Sequence, residues 1–318
     1  MSLVIRQASG VSTRRRDAVL AAIEELGYKP SRAATTLAGS RSKSIGVVID
    51  DYSNLWFVNL LDGIRHIMDT HNYHVTVSDQ HSTGPFLTDA VDGFLAMHID
   101  GIVMAAEPGA VAQKNLDVPV VVAGEREGHV PGADVVANDE ALGAALAVEH
   151  LISLGHRRIG HLSGLGGSAA RRRESYVETM KRANLRPLVF GTFEPTTEHG
   201  GYRGCVELLE HNPDVTAVFA ANDTMALGAL GALQERGLRV PNEVSLVGFD
   251  NSPLAGSHVL DLTTIDNRNF EVGIEVATRL LSRIEGGDSA PHRSLIAPEL
   301  VVRSSTSEPI AARMATER

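Results

Sequence analysis

The sequence predicts an α/β fold of two doubly wound parallel-sheet subdomains, preceded by a short helical segment. Three observations carry this expectation. From Ile45 onward, short β-branched runs alternate with stretches of helical periodicity, the rhythm of parallel sheets flanked by helices. Most of the runs are apolar throughout, as strands buried on both faces are. The length of 318 residues is about two domains' worth, and the two halves share the same strand–helix rhythm.

In chain order, Ser12 and Thr13 are helix N-cap residue types, followed at helical spacing by Ala18, Val19, Ala22, Ile23 and Leu26, with Gly27 as a C-cap. Pro30 opens a short segment, Ser31 to Ala38, with helical potential but two threonines. Gly39 to Ser44 reads as a linker. Strands are expected at Ile45–Ile49, His74–Ser78, Gly101–Ala105, Pro119–Ala123, Arg158–Leu162, Pro187–Phe190, Ala217–Ala220 and Val244–Phe249. Helices are expected at Phe57–Thr70, Leu142–Leu154, Ser168–Ala183, Gly201–His211 and Met225–Arg236. The closing stretch from Thr306 is polar, without the sustained heptads of a coiled coil.

Charge is unevenly spread. The chain carries 29 Lys+Arg against 39 Asp+Glu, a net of -10. Residues 1–45 hold Arg6, Arg14, Arg15, Arg16, Lys29, Arg32, Arg41 and Lys43 against Asp17, Glu24 and Glu25, which leaves this arm at +5 and the body at -15. A basic arm on an acidic body suggests a polyanionic partner for the arm alone. With Cys205 the single cysteine, no internal disulfide and no cysteine-based metal site can form. No apolar run reaches membrane-spanning length and no signal region opens the chain, so a cytoplasmic protein is expected. His66, His71, His74 and His81 lack ligand spacing, and no metal or cofactor is expected.

Several segments, taken in order, resemble the lactose-repressor (LacI/GalR) family of bacterial transcription regulators. They are Val11 to Pro30, Ile45–Ile49, His150 to Gly160, Phe219 to Asp223, Gly237 to Asp250, Leu262–Ile265 and Pro298 to Ser305. The resemblance implies a periplasmic-binding-protein-like core, a homodimer, operator DNA as partner and a small effector between the subdomains. It also implies a division into 1–44 (headpiece remnant, hinge helix and linker), 45–137 with 268–292, 138–267 with 293–305, and a polar tail at 306–318. The family opens with a helix-turn-helix. Only Met1 to Gly10 precede Val11, so this chain is expected to lack most of that motif and, with it, specific DNA binding. Ser31 to Ala38 resembles the hinge helix, with Leu37 in the place of the minor-groove wedge. Ser31, Arg32, Arg41 and the first-turn residues Arg14, Arg15 and Arg16 are the remaining candidate DNA contacts. Positive charge in a first turn opposes the helix dipole by roughly 0.3–1 kcal/mol per charge at low salt, a penalty a phosphate reverses. Thr35 stands where the family often has Arg.

Ligands of open α/β sheets sit beyond the carboxyl ends of strands. Asn222 follows Ala217–Ala220, Asp250 follows Val244–Phe249, and Arg172 follows Arg158–Leu162. The resemblance places effector contacts at these three. An amide, a carboxylate and a guanidinium fork suit a polyhydroxylated ligand such as a sugar, with a purine as the other candidate. The competing structural roles are a helix N-cap for Asp250 and a turn residue for Asn222. Aromatics are only 4% of the chain. Asn54, Trp56 and Phe57 follow the first strand, where the family often shows Asn-Pro-Phe-Phe, and Phe193 follows a later one; such rings can stack on a sugar face. Asn267 is a further contact candidate. Two other readings compete. Gly164 to Ala169, with Glu194 beyond the next strand, loosely resembles a dinucleotide fingerprint and would suit an NAD-dependent enzyme. The absence of any hydrolase or Walker motif and the surrounding family blocks argue against catalysis. A periplasmic solute-binding protein would share the fold but predicts an export signal in place of residues 11–44.

Overall fold

A computed structural model of the chain describes Val4 and residues 12–26, 41–80, 90–109, 116–287 and 290–310. Its contacts divide the chain into Met1–Lys43 and Ser44–Arg318. In the first unit, helix α1 spans Thr13–Glu25, with Arg14, Arg15 and Arg16 in its first turn, no acidic residue there and no fully buried side chain. Arg16, Val19 and Ile23 are its half-buried positions, a single stripe at helical spacing. The hinge-like segment with Ser31, Arg32 and Leu37 lies outside the described residues; Arg41 is exposed.

The second unit holds two lobes. In the first, β1 (Ser44–Ile49), β2 (His74–Asp79), β3 (Gly101–Ala105), β4 (Val120–Ala123), β5 (Asp134–Asn138) and β11 (Arg293–Ile296) form an all-parallel sheet in the order β11-β5-β4-β3-β1-β2. In the second, β6 (Ile159–Leu162), β7 (Leu188–Phe190), β8 (Ala217–Ala220), β9 (Ser245–Phe249) and β10 (Thr263–Asp266) are parallel, and β12 (Glu299–Val301) adds an antiparallel edge, in the order β12-β10-β9-β8-β6-β7.

Alternation along each strand divides the cores. Ile45, Val47 and Ile49 face Leu60, Ile64 and Met68 of α2 (Trp56–Thr70) and Val272, Val276 and Leu280 of α8 (Asn269–Ile284). Val48 faces the other way, toward Phe94 of α3 (Ala90–Ala96). The second sheet is covered on one face by α4 (Glu140–Ser153) and α5 (Gly167–Arg182), and on the other by α6 (Glu198–His211) and α7 (Asp223–Glu235). Each lobe has one glycine-lined helix seam. A Cβ on Gly63 would sit 2.1 Å from the Phe270 carbonyl oxygen, and one on Gly273 2.3 Å from that of Leu60, across α2 and α8. On α6 and α7, Gly201 and Gly228 play the same part, with 2.1 Å to Met225 O and 1.9 Å to Glu198 O.

The eight expected strands and five expected helices are present, with ends shifted by a few residues. Not anticipated were β5, β10, β11, β12, α3 and α8. Strand β10 is polar in sequence yet buried from Thr263 to Ile265, because Thr264 Oγ1 donates to Asp223 Oδ1 at 2.6 Å and Thr263 is bonded to the Arg303 and Ser305 region. Helix α8 starts from Arg268 in the left-handed region, φ 57°, without a side-chain cap, so the usual start signal is missing. The expected lobe boundary at residue 293 is corrected. Strand β11 pairs with β5, Val135 N donating to His292 O at 2.8 Å, so the third crossing lies between Ile296 and Glu299. Nor does the polar tail begin at 306: Ser307 N donates to Ser245 Oγ, and the Ser307 carbonyl contacts His156 Nε2.

One buried histidine makes the fold pH-sensitive. His161 of β6 is stacked between Tyr176 and Phe219, ring centroids 5.0 and 4.7 Å away. Its Nδ1 faces the Phe219 carbonyl at 2.9 Å and therefore donates; Nε2 has no hydrogen-bond partner among the described residues. Burial pushes its pKa from 6.5 to about 3. The unfolded chain thus takes a proton below pH 6.5 that the native state refuses until about pH 3, and stability falls in that window by roughly 1.4 kcal/mol per pH unit. Asp223 works oppositely: burial raises it from 3.8 to about 6, so the native state gains a proton first as pH falls. His161→Phe is expected to remove the histidine's share, so the stability of the variant relative to the parent rises steadily from pH 6 to pH 4 in urea unfolding. A constant difference across that range contradicts the account.

Candidate functional site

The carboxyl ends of both sheets open onto one cleft of about 370 Å³, within the size range of small-molecule sites. Each lobe contributes the loops that follow its central strands. From the first come Asp50 after β1, Glu107 after β3 and Gly124 to Arg126 after β4; from the second, Leu165 to Ala169 after β6, Asn222 after β8 and Asp250 after β9.

On the second lobe, Arg172 of α5 is buried and surrounded by acceptors. Its Nε donates to Glu140 Oε2 at 2.6 Å, Nη1 to the Ala221 carbonyl at 2.5 Å and Nη2 to Asp250 Oδ1 at 3.3 Å, with the guanidinium 3.7 Å from the Phe249 ring centroid. Burial works against this charge, and Glu140 and Asp250 more than restore it. Asp250 is no helix cap: its backbone takes φ 103°, a region disfavoured for a non-glycine residue. Burial raises its carboxyl well above the usual range; Arg172 lowers it, but Asp223 and Glu140 add to the rise. Asn222 holds both roles offered by the sequence. Its Oδ1 caps α7 by accepting from Met225 N at 2.8 Å, and its Nδ2 donates to Thr196 O at 3.0 Å at the cleft wall.

On the first lobe, Trp56 and Phe57 meet edge to face at 5.1 Å and line the cleft, and Asn54 Oδ1 accepts from Trp56 N at 3.0 Å. Arg126 ties three strand ends together. It donates to the Ala105 and Ala123 carbonyls, pairs with Asp50 at 3.2 Å and lies 5.6 Å from the Trp56 ring centroid. Its burial lowers its pKa, against the opposing pull of Asp50 and Glu107. Gly124 must be glycine, since its φ is +84° and a Cβ would stand 3.3 Å from the Trp56 ring.

Six of the eight expected effector residues are brought together at this cleft: Asn54, Trp56, Phe57, Arg172, Asn222 and Asp250. Two are not. Phe193 is 88% exposed, at the tip of a turn in which Glu194 N donates to Gly191 O; the cleft is lined instead by Pro195 and Thr196. Asn267 is fully buried behind the cleft, its Nδ2 donating to Asp250 Oδ1 at 2.9 Å. Sequence reasoning overlooked Asp50, Glu107, Glu140 and Arg126. The Gly-Glu-Arg-Glu-Gly run at 124–128, directly after a fully apolar strand, was the available signal. No group of histidine, cysteine and acidic side chains among the described residues could hold a metal ion, and no described helix is long and apolar enough to cross a membrane.

Comparison with known proteins places relatives around this geometry. Residues 148–306 match the periplasmic binding protein-like domain. The HTH-type transcriptional repressor PurR of Pasteurella multocida is 31% identical over 96% of this chain and 93% of its own length. The HTH-type transcriptional regulator CelR of Thermobifida fusca is 32% identical over 96% and 93%. Among solved structures, a LacI-family transcriptional regulatory protein from Corynebacterium glutamicum is 38% identical, with a TM-score of 0.76 over 85% of this chain and all of that one. The lac repressor dimer bound to operator and the anti-inducer ONPF is 29% identical, with a TM-score of 0.84 over 96% and 94%. A CelR–cellobiose complex is 28% identical, with a TM-score of 0.76 over the same shares.

Proposed function

The chain belongs to the LacI family of transcriptional regulators, and from that premise we propose that its cleft binds a polyhydroxylated effector, a sugar, whose binding alters affinity for operator DNA. One observation carries this reading: an aromatic wall, Trp56 and Phe57, faces a polar wall of Asn222, Arg172 and Asp250 across an open cleft. A ring stacks its apolar face on the first and gives its hydroxyls to the second. The proposal includes a homodimer, cytoplasmic location and binding without catalysis. Arg14, Arg15, Arg16 and Arg41, with Ser31, Arg32 and Leu37, are its proposed DNA contacts.

The cleft is tied to the crossings between the lobes. Asn267 holds Asp250 and sits on the crossing between β10 and α8, and its carbonyl accepts from Asn138 Nδ2 on the crossing between β5 and α4. Asp139 N on that same crossing donates to Ile296 O at the third. An effector that moves Asp250 therefore biases all three crossings. Effector and operator affinities are then linked by a reciprocal coupling, typically about 1–3 kcal/mol.

The test uses the single tryptophan. Trp56 lies in the cleft wall, so a bound sugar is expected to change its emission, and Asp250→Asn to remove the change while leaving the thermal melt cooperative. A response to purines with none to any sugar, or an undiminished sugar response in Asp250→Asn, rejects the reading.

A further inference from the structure

The charges around the cleft separate two kinds of sugar. Carboxylates line it at Asp50, Glu107, Glu125 and Asp250, against guanidiniums at Arg126 and Arg172. Both guanidiniums are already committed within the chain. Arg126 is ion-paired to Asp50 and bonded to two carbonyls. Arg172 lies between Glu140 and Asp250, with Asp223 adding further negative charge nearby. Two more cations, Arg171 and Arg293, line a neighbouring pocket and are both paired with the cleft residue Glu125. With these included, six acidic side chains surround the cleft against four guanidiniums, and without Asp250, whose carboxyl pKa is raised by burial, five still outnumber the four. The Glu107 carboxylate accepts from neutral main chain, the N–H groups of Glu127 and Gly128.

One feature would favour an anion. Helix α5 begins in the cleft at Gly167 with no side-chain cap, and such an end attracts negative charge. The chain's own acidic loop already packs there: a Cβ on Gly167 would lie 3.5 Å from both the Glu125 carbonyl oxygen and Glu127 Cγ.

We infer that the cleft selects uncharged polyhydroxylated effectors and rejects their phosphorylated and carboxylated counterparts, because every guanidinium facing it is matched or outnumbered by carboxylates of this chain. A phosphate entering would meet spent cations and uncompensated acids, and juxtaposed like charges weaken binding severalfold to many-fold. The inference rests on the effector reading above and narrows it.

The experiment pairs ligands. Neutral hexoses and disaccharides are titrated beside the matching hexose phosphates and hexuronates, with Trp56 emission and thermal protection as readouts, and inorganic phosphate is titrated alone. Each charged form is expected to bind more than about ten-fold more weakly than its neutral parent, and inorganic phosphate at millimolar concentration to give no response. A charged form binding as tightly as its parent, or protection by inorganic phosphate, overturns the inference. If purines bind in place of sugars, the effector reading falls, and the charge rule is judged on the nucleobase against its nucleotide. A gain-of-binding arm needs no effector at all. Glu140→Gln combined with Asp250→Asn leaves Arg172 unmatched, and this variant should acquire millimolar affinity for inorganic phosphate. Glu140→Gln alone, which keeps one partner for Arg172, serves if the double variant melts without cooperativity. Folded variants that still ignore phosphate show that carboxylate pairing is not what excludes anions, and sink the inference equally.

Discussion

Arg172→Ala is expected to lower the unfolding free energy by about 3–5 kcal/mol, the usual consequence of removing one partner from a buried ion pair. Arg172 and both of its partners, Glu140 and Asp250, are buried, with side-chain exposures of 8% or less. Removing the guanidinium leaves two carboxylates and nearby Asp223 in a low-dielectric site without a cation. Asp250→Asn should behave differently. The amide keeps the shape, still accepts from Asn267, and removes a charge whose pKa is already raised by burial. Stability is expected to stay within about 1 kcal/mol of the parent or to rise. Urea unfolding at neutral pH separates the outcomes; equal losses in the two variants would show that the cluster does not behave as a charge-balanced unit. The pair also clarifies binding assays, because lost sugar response in Arg172→Ala mixes folding with recognition, whereas in Asp250→Asn it reports recognition.

The second large effect is a single methyl group. Gly228→Ala places a Cβ 1.9 Å from Glu198 O and 2.6 Å from Tyr202 N, both backbone atoms of α6 that cannot rotate away. Helices α6 and α7 must separate, and a loss of about 3 kcal/mol is expected, at the upper end of ordinary overpacking. Gly231→Ala, one turn further along the same helix, is the control. Its Cβ would meet only Tyr202 Cδ2 at 3.8 Å, an ordinary contact, and replacing a helical glycine there should gain about 0.5–1 kcal/mol. Opposite shifts in urea midpoint at unchanged slope are the expected result. Two shifts of the same sign would show that seam spacing does not govern this pair.

Legibility in the sequence followed the physics of each element. Apolar strands such as Val120–Ala123 announce themselves, since nothing but burial on both faces favours such a run. Thr263–Asp266 did not, because its hydroxyls are satisfied by partners 40 or more residues away, beyond the reach of any local pattern. At the cleft, residues directly after strand ends were readable by position, which is how Asn222 and Asp250 were found. Arg126 and Glu140 were not, because their importance lies in pairing across sequence separations of 76 and 32 residues. Phe193 misled for a related reason: the turn that orients it is set by main-chain bonds, and those direct the ring to solvent.

The three crossings also impose an order on synthesis. Most of the second lobe is one unbroken stretch, Glu140 to Asp266, lacking only its edge strand β12. The first lobe begins earlier, but its helix α8 and edge strand β11 come only after that stretch. Its central strands emerge first, yet α8, which supplies Val272, Val276 and Leu280 to its core, follows the Glu140–Asp266 stretch of the second lobe off the ribosome. Until then the face formed by Leu60 and Ile64 lacks the cover that α8 provides. The lobe begun first therefore waits for most of the other before its core can close, and during that interval the nascent chain exposes the apolar surface that chaperones bind and that aggregation exploits.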